Sequence, residues 1–183
     1  VNIKTKAFEK IYKPFGNSIA KSVVSHHNSN AGMSRFEKFQ FYHKTFLGKE
    51  LSRDQLKDLS IKFQKLVCRK VIEAPLIKGA MEFLNKFNGT IPMYIVSATP
   101  DEELCFIVEE KGLSKYFKGI YGAPKDKNYW TKLIIKKNNY NSPKMIFVGD
   151  GLKDYEAAIQ NNLNFIGRVE SKSENIFKDK KID

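Results

Sequence analysis

Two hydrophobic rhythms divide the chain near residue 72. Before it, apolar residues recur at helical spacing only: Phe8, Ile11, Tyr12 and Phe15 share one face, and Pro14 and Gly16 mark that helix's end. Ile19, Ala20, Val23 and Val24 define a second helix that stops at His26-His27-Asn28, with the two imidazoles read as solvated caps. Ser34 followed by Glu37 spells a capping box, and Phe36, Phe39, His43, Phe46 and Leu47 continue one face behind it. Ser52 opens the longest helix, whose Leu56, Leu59, Phe63, Leu66 and Val67 form a stripe ending near Ile72. Four amphipathic helices on short loops predict a small bundle over residues 1–72.

From residue 73 helices alternate with short apolar runs. Ala80, Phe83, Leu84 and Phe87 line a helix closed by Asn88-Gly89, and MYIVS from Met93 reads as a strand. Leu104, Ile107 and Val108 mark a helix ending at Gly112, GIYGAP from Gly119 a second strand, and Trp130, Leu133 and Ile134 another helix. Lys136-Lys137 before Asn138-Asn139 reads as its end, with an asparagine in the left-handed cap. A strand at Met145 and a last one, NFIGRV from Asn164, complete the series. This succession predicts a doubly wound, Rossmann-like parallel sheet over 73–183, an α/β domain carrying the helical bundle as a second unit.

The most telling segment is MIFVGDGLKDYEAA. Met145 to Val148 is a continuous apolar run, the pattern of a strand buried on both faces. Gly149 turns the backbone, and Asp150 and Asp154 emerge where open α/β sheets place their ligands. Two carboxylates so placed suit a hard cation such as Mg²⁺; the plainer reading, of equal weight for this motif alone, is that Asp150 caps the returning helix. MYIVS likewise ends in Ser97, followed by Ala98, Thr99 and Pro100, where hydroxyls and free N–H groups hold phosphate oxygens or merely cap a helix. After GIYGAP, Lys125 or Lys127 is placed to project an ammonium into the same crevice, although most lysines in so basic a chain are solvated.

Composition narrows the classes. The 183 residues are 42% hydrophobic, enough for one good core plus an accessory unit. No apolar stretch approaches the ~20 residues of a membrane span, and the Lys-rich opening lacks a signal-peptide core. Cys68 and Cys105 fall in apolar-periodic segments and read as packed free thiols of a reducing, cytoplasmic protein. The formal charge of +12 is nearly all lysine, interspersed with acids. Only Arg35, Arg53, Arg69 and Arg168 are arginines, a poor match to nucleic-acid readers, so neither nucleic acid nor membrane is the expected partner.

In their chain order, Ser97, the lysine at 127 or 125, and Asp150 with Asp154 resemble the motifs of the haloacid dehalogenase superfamily, over nearly the whole chain. The resemblance implies a Mg²⁺-dependent phosphatase acting on a small phosphorylated metabolite: Ser97, Ala98 and Thr99 hold phosphate oxygens, Lys127 (or Lys125) stabilises charge, and Asp150 and Asp154 serve the metal. Phosphomutase, phosphonatase and dehalogenase chemistries share this frame, and a non-catalytic phosphate- or partner-binding module is the alternative outside it. The bundle resembles the cap of the β-phosphoglucomutase and phosphoglycolate phosphatase subgroup. Gly32-Met33-Ser34-Arg35 matches its cap loop, which implies that Arg35 contacts the substrate. Family chemistry begins with an Asp-x-Asp motif on a first, central strand, yet no aspartate precedes Asp54. The expectation is therefore a core lacking that strand, which belongs upstream of Val1, and little turnover by this chain as it stands.

Overall fold

The computed structural model describes residues 2–30, 32–169 and 175–178; the far end of the expected core, 179–183, lies outside them. The amphipathic segments fold as α1 (Asn2–Tyr12), α2 (Asn17–Ser29), α3 (Arg35–Leu47) and α4 (Arg53–Glu73). Both serine starts are capping boxes. The Glu37 N–H donates to Ser34 Oγ at 3.2 Å and the Ser34 N–H to the Glu37 carboxylate at 2.9 Å; Ser52 and Gln55 repeat the exchange. Each satisfies two helix-end donors and contributes about 1 kcal/mol.

The four helices close over an aromatic core of Phe8, Tyr12, Phe39, Tyr42 and Phe63 with Ile11, Val23 and Val67. The Phe8 ring lies 4.5, 5.5 and 5.7 Å from those of Phe63, Phe39 and Tyr42, the spacing at which tilted and edge-on rings attract. α3 departs from the expected stripe. Its buried side carries Arg35 and Lys38 beside Phe39 and Tyr42, while His43 and Phe46 are only half-buried. His26 and His27 are not solvated caps either. α2 runs on to Ser29, so both rings lie inside its last turns, His26 stacked on Phe41 at 4.1 Å and His27 against Phe8 at 4.8 Å.

The second half contains α5 (Ala80–Phe87), β1 (Tyr94–Pro100), α6 (Asp101–Glu110), β2 (Gly119–Ala123), α7 (Lys127–Asn138), β3 (Ile146–Gly149), α8 (Leu152–Gln160) and β4 (Asn164–Gly167). The strands are parallel, as the alternation predicts. Tyr94, Ile95 and Val96 pair with Gly119, Ile120 and Tyr121, and Ile146 to Gly149 with Asn164 to Gly167. Among the described residues no ladder joins β1–β2 to β3–β4. The two pairs share one layer of helices, since α7 touches β1 and α8, and α8 packs on β3 and β4. Each pair has its own small core, around Leu84, Leu104, Val108 and Tyr116 for the first and Ala158, Leu163, Phe165 and Phe177 for the second.

Two expectations are corrected here. β3 is not covered on both faces: Ile146 and Val148 are 58% and 61% exposed, because among the described residues no element packs on that side. Cys105, expected inside, is exposed on α6, whereas Cys68 is half-buried; both are free thiols. The left-handed cap of α7 falls on Asn139, φ 52°, behind Lys136 and Lys137 as the sequence predicts.

Candidate active site

The carboxyl ends of β1, β2 and β3 carry the residues singled out by sequence. β1 runs directly into α6, and neither Ser97 nor Thr99 caps that helix. Instead the Thr99 N–H donates to Ser97 Oγ at 3.1 Å, a local turn that fixes the serine hydroxyl; Ser97 and Ala98 are half-buried, Thr99 buried. Gly122 of β2 presses against this turn. A Cβ at that position would lie 2.5 Å from the Thr99 carbonyl oxygen, so only glycine fits. Its N–H donates to Asp101 Oδ1 at 2.7 Å and its carbonyl accepts from the Trp130 indole at 2.8 Å, joining the ends of β1, β2 and α7.

Helix phase sets the two lysines in different surroundings. Asp126 is the N-cap of α7, its side chain accepting from the Tyr129 N–H, so Lys127 is the first helical residue. Its ammonium pairs with Asp154 Oδ1, and both side chains are largely buried. Lys125 lies outside the helix, exposed, 5.0 Å from the face of the Tyr129 ring. Asp126 before Lys127 was the readable signal.

Asp154 is the better anchored of the two acids. Its Oδ1 accepts from Lys127 and its Oδ2 from the Gly151 N–H at 3.0 Å, so it is this residue, and not Asp150, that ties down the start of α8. Gly149 makes room for it: a Cβ there would stand 2.2 Å from Asp154 Cβ. Asp150 is exposed and, among the described residues, forms no hydrogen bond or ion pair. Its carboxylate is an open, hard oxygen donor. That suits Mg²⁺, which takes one or two carboxylates and keeps several waters. Among the described residues no group of three or more His, Cys, Asp or Glu side chains assembles for a metal.

The bundle reaches this point along two paths. Gly32, φ 90°, brings bare backbone over the lysines, since a Cβ on it would meet Lys153 Cβ at 3.1 Å and Lys127 Nζ at 3.7 Å. Lys4 of α1 donates to Thr99 Oγ1 at 3.3 Å. Arg35, by contrast, is spent on structure. Its guanidinium donates to buried Glu103 of α6 at 2.7 Å and to the carbonyl of half-buried Ser60 at 3.4 Å, and it lies 4.7 Å from the centre of the buried Phe63 ring. Lys4 was missed by sequence reading because a lysine in the first turn of a helix carries no signal of its own. Two open depressions of about 260 and 370 Å³ lie on the bundle, one beside Phe36, Leu56 and Ile61, the other beside Glu9, Ala20 and Val24; neither includes a residue of the cluster.

Comparison with known proteins decides the frame in which this cluster stands. The family model of haloacid dehalogenase-like hydrolases matches residues 2–168. The chain belongs to the haloacid dehalogenase-like hydrolases. A β-phosphoglucomutase from Clostridium difficile superimposes with a TM-score of 0.74 at 17% identity, covering 92% of this chain and 78% of that one. A haloacid dehalogenase-like hydrolase from Bacteroides fragilis gives 0.71 at 15% identity, with 93% and 81% covered. A predicted phosphoglycolate phosphatase from Haemophilus somnus gives 0.64 at 18% identity, with 82% and 74% covered. At such identities these structures share the fold: an α/β core with parallel strands, Rossmann-like, joined to helices. The comparison with curated proteins gave no match. No helix among the described residues is long and apolar enough to cross a membrane.

Proposed function

We propose that this haloacid dehalogenase-like hydrolase is built for Mg²⁺-dependent hydrolysis of a small phosphate monoester, with residues 1–72 as its cap and the α/β half from residue 73 as its core. The observation that carries the reading is the Lys127–Asp154 pair, which ties the segment after β2 to the one after β3, with the Ser97–Thr99 turn at the end of neighbouring β1. Ser97 Oγ, held in place by the Thr99 N–H, and the Ala98 N–H meet phosphoryl oxygens, with Thr99 shaping the turn; half-buried donors do this without prior reorganisation. Lys127, oriented by Asp154, neutralises charge on the transferring group. Asp150 would hold the metal, with Asp154 behind it, and Mg²⁺ bound there would supply Lewis-acid neutralisation of the phosphoryl oxygens.

The nucleophile of this scheme is an aspartate at the end of a strand lying between β1 and β3. The two parallel pairs under one helical layer, unjoined by a ladder, support that position. Its carboxylate attacks phosphorus, the alcohol departs, and water hydrolyses the acyl phosphate. Without it the covalent path is absent, whereas loss of one charge-stabilising donor costs only about 10²–10³-fold. The free thiols agree with a reducing compartment such as the cytoplasm.

The test is p-nitrophenyl phosphate hydrolysis by the 183-residue chain and by a fusion that adds an apolar strand ending in Asp-x-Asp before Val1. Mg²⁺-dependent turnover is expected only from the fusion, and Asp150→Asn abolishes it. Robust turnover by the unfused chain, lost with Asp150→Asn, would overturn the placement of the nucleophile. A fusion that binds phosphate esters but never turns over would favour a non-catalytic binding module.

A further inference from the structure

One of the two depressions on the bundle combines an apolar floor with a rim of a single charge sign. Phe36 of α3 and Leu56 and Ile61 of α4 line a space of about 260 Å³, and Arg53 and Lys57 stand at its edge. Leu56 packs on the aromatic core, whereas Phe36 and Ile61 join no core cluster, so two large apolar side chains are held outside the bundle's interior. Ile61 is 40% exposed. α3 and α4 are tied together beside the depression, where the Arg35 guanidinium donates to the Ser60 carbonyl at 3.4 Å. The space falls short of the ~300–1,000 Å³ of small-molecule pockets and suits one large apolar side chain. Its two cations sit against local preference. Arg53 is the first residue of α4 and Lys57 follows one turn later, where the helix dipole favours acids and like charges four residues apart repel. Among the described residues no acid, Asp54 and Asp58 of the same helix included, comes within ion-pair distance of either cation. Breaches of a local rule of this kind belong to functional surfaces.

We propose that the depression between α3 and α4 docks an acidic segment of a partner protein, a short helix that sets a leucine or phenylalanine between Phe36, Leu56 and Ile61 and its carboxylates against Arg53 and Lys57. The charge of the whole chain, +12, selects the same class of occupant, since it steers an acidic partner in and repels a second copy. The apolar anchor supplies affinity. The cationic rim supplies orientation and encounter rate. Neither the Ser97 turn nor the Lys127–Asp154 pair lines the depression, so docking there is independent of the phosphatase reading.

Fluorescence anisotropy on the 183-residue chain tests this with a labelled helical peptide of about fifteen residues that carries leucine and phenylalanine on one face and glutamates beside them. Two control peptides replace the apolar pair by alanine or the glutamates by lysine. At physiological salt the acidic apolar peptide should bind in the micromolar range, about tenfold or more tighter than either control. Arg53→Glu with Lys57→Glu should lower its affinity about tenfold and, in return, let the lysine peptide bind. Ile61→Gln should weaken the acidic peptide too, while Lys132→Glu on the exposed side of α7 changes nothing. Acids at the start of α4 suit its dipole, so the charge reversal keeps the fold, as circular dichroism will show. Equal binding of the acidic and alanine peptides, or an affinity that survives the charge reversal, would assign binding to the basic surface at large and overturn the docking site. Self-association in sedimentation that Ile61→Gln removes would make a second copy the occupant, against the proposal. No binding of the acidic peptide would overturn it outright.

Discussion

The helical bundle and the α/β half solve the same problem to different degrees. The bundle buries five large aromatic rings against one another and caps α3 and α4 with its own side chains. The α/β half divides its apolar side chains between two smaller cores and leaves Ile146, Val148 and Ile166 more than half exposed. Stability in this molecule is therefore concentrated away from the proposed chemistry. The half that carries Ser97, Lys127 and Asp150 is the less finished one, and its order at the site depends on a few polar ties.

The largest test of this contrast is truncation within the two halves. Phe39→Ala should cost about 3–5 kcal/mol in urea unfolding, since it empties the centre of the bundle. Val148→Ser on the open face of β3 should stay within about 0.5 kcal/mol. Similar losses at both positions would mean that β3 is covered after all. Next is the tie between the halves: Arg35→Ala should cost about 3–5 kcal/mol by stranding Glu103, and Arg35→Met with Glu103→Leu should recover most of it. If the double variant is stable yet loses affinity for phosphate esters, Arg35 has a ligand role in addition to its structural one.

Smaller effects probe the site itself. Gly149→Ala drives a methyl group into Asp154 and should cost about 1–3 kcal/mol, with a weaker hold on Lys127. The smallest effect is a pH slope in the bundle. Burial, then Lys38 and Lys4, lower the His27 pKa from 6.5 to about 3, so His27 stays neutral in the fold. The unfolded chain binds a proton below pH 6.5 that the folded chain refuses until about pH 3, so stability should fall as pH drops through that window and level off beneath it. His27→Gln should flatten that slope; an unchanged slope would assign it elsewhere, with His26 and His43, whose pKa burial also lowers, the alternatives.

Local signals were legible in the chain and tertiary ones were not. The capping box at Ser34, the helix start at Ser52 and the left-handed Asn139 depend on neighbours a few residues away, so spacing alone reveals them. The parallel sense of the strands followed from their alternation with helices. The burial of Lys38 and the reach of Lys4 depend on which helices meet, and a lysine reads as solvent until its neighbours are known. The continuous apolar run at β3 shows what the strand would tolerate around it, and the packing of other elements decides what it receives. Arg35 was expected to face a substrate because its loop resembles a cap loop, but Glu103, 68 residues away, takes its guanidinium.

Gly32 gives the site one wall without chemistry of its own. Because Gly32 brings its backbone so close to Lys153 and Lys127, a side chain at that position would meet both. A substituent at Gly32 is therefore a short route to narrowing the approach to Lys127 while its partner Asp154 stays as it is.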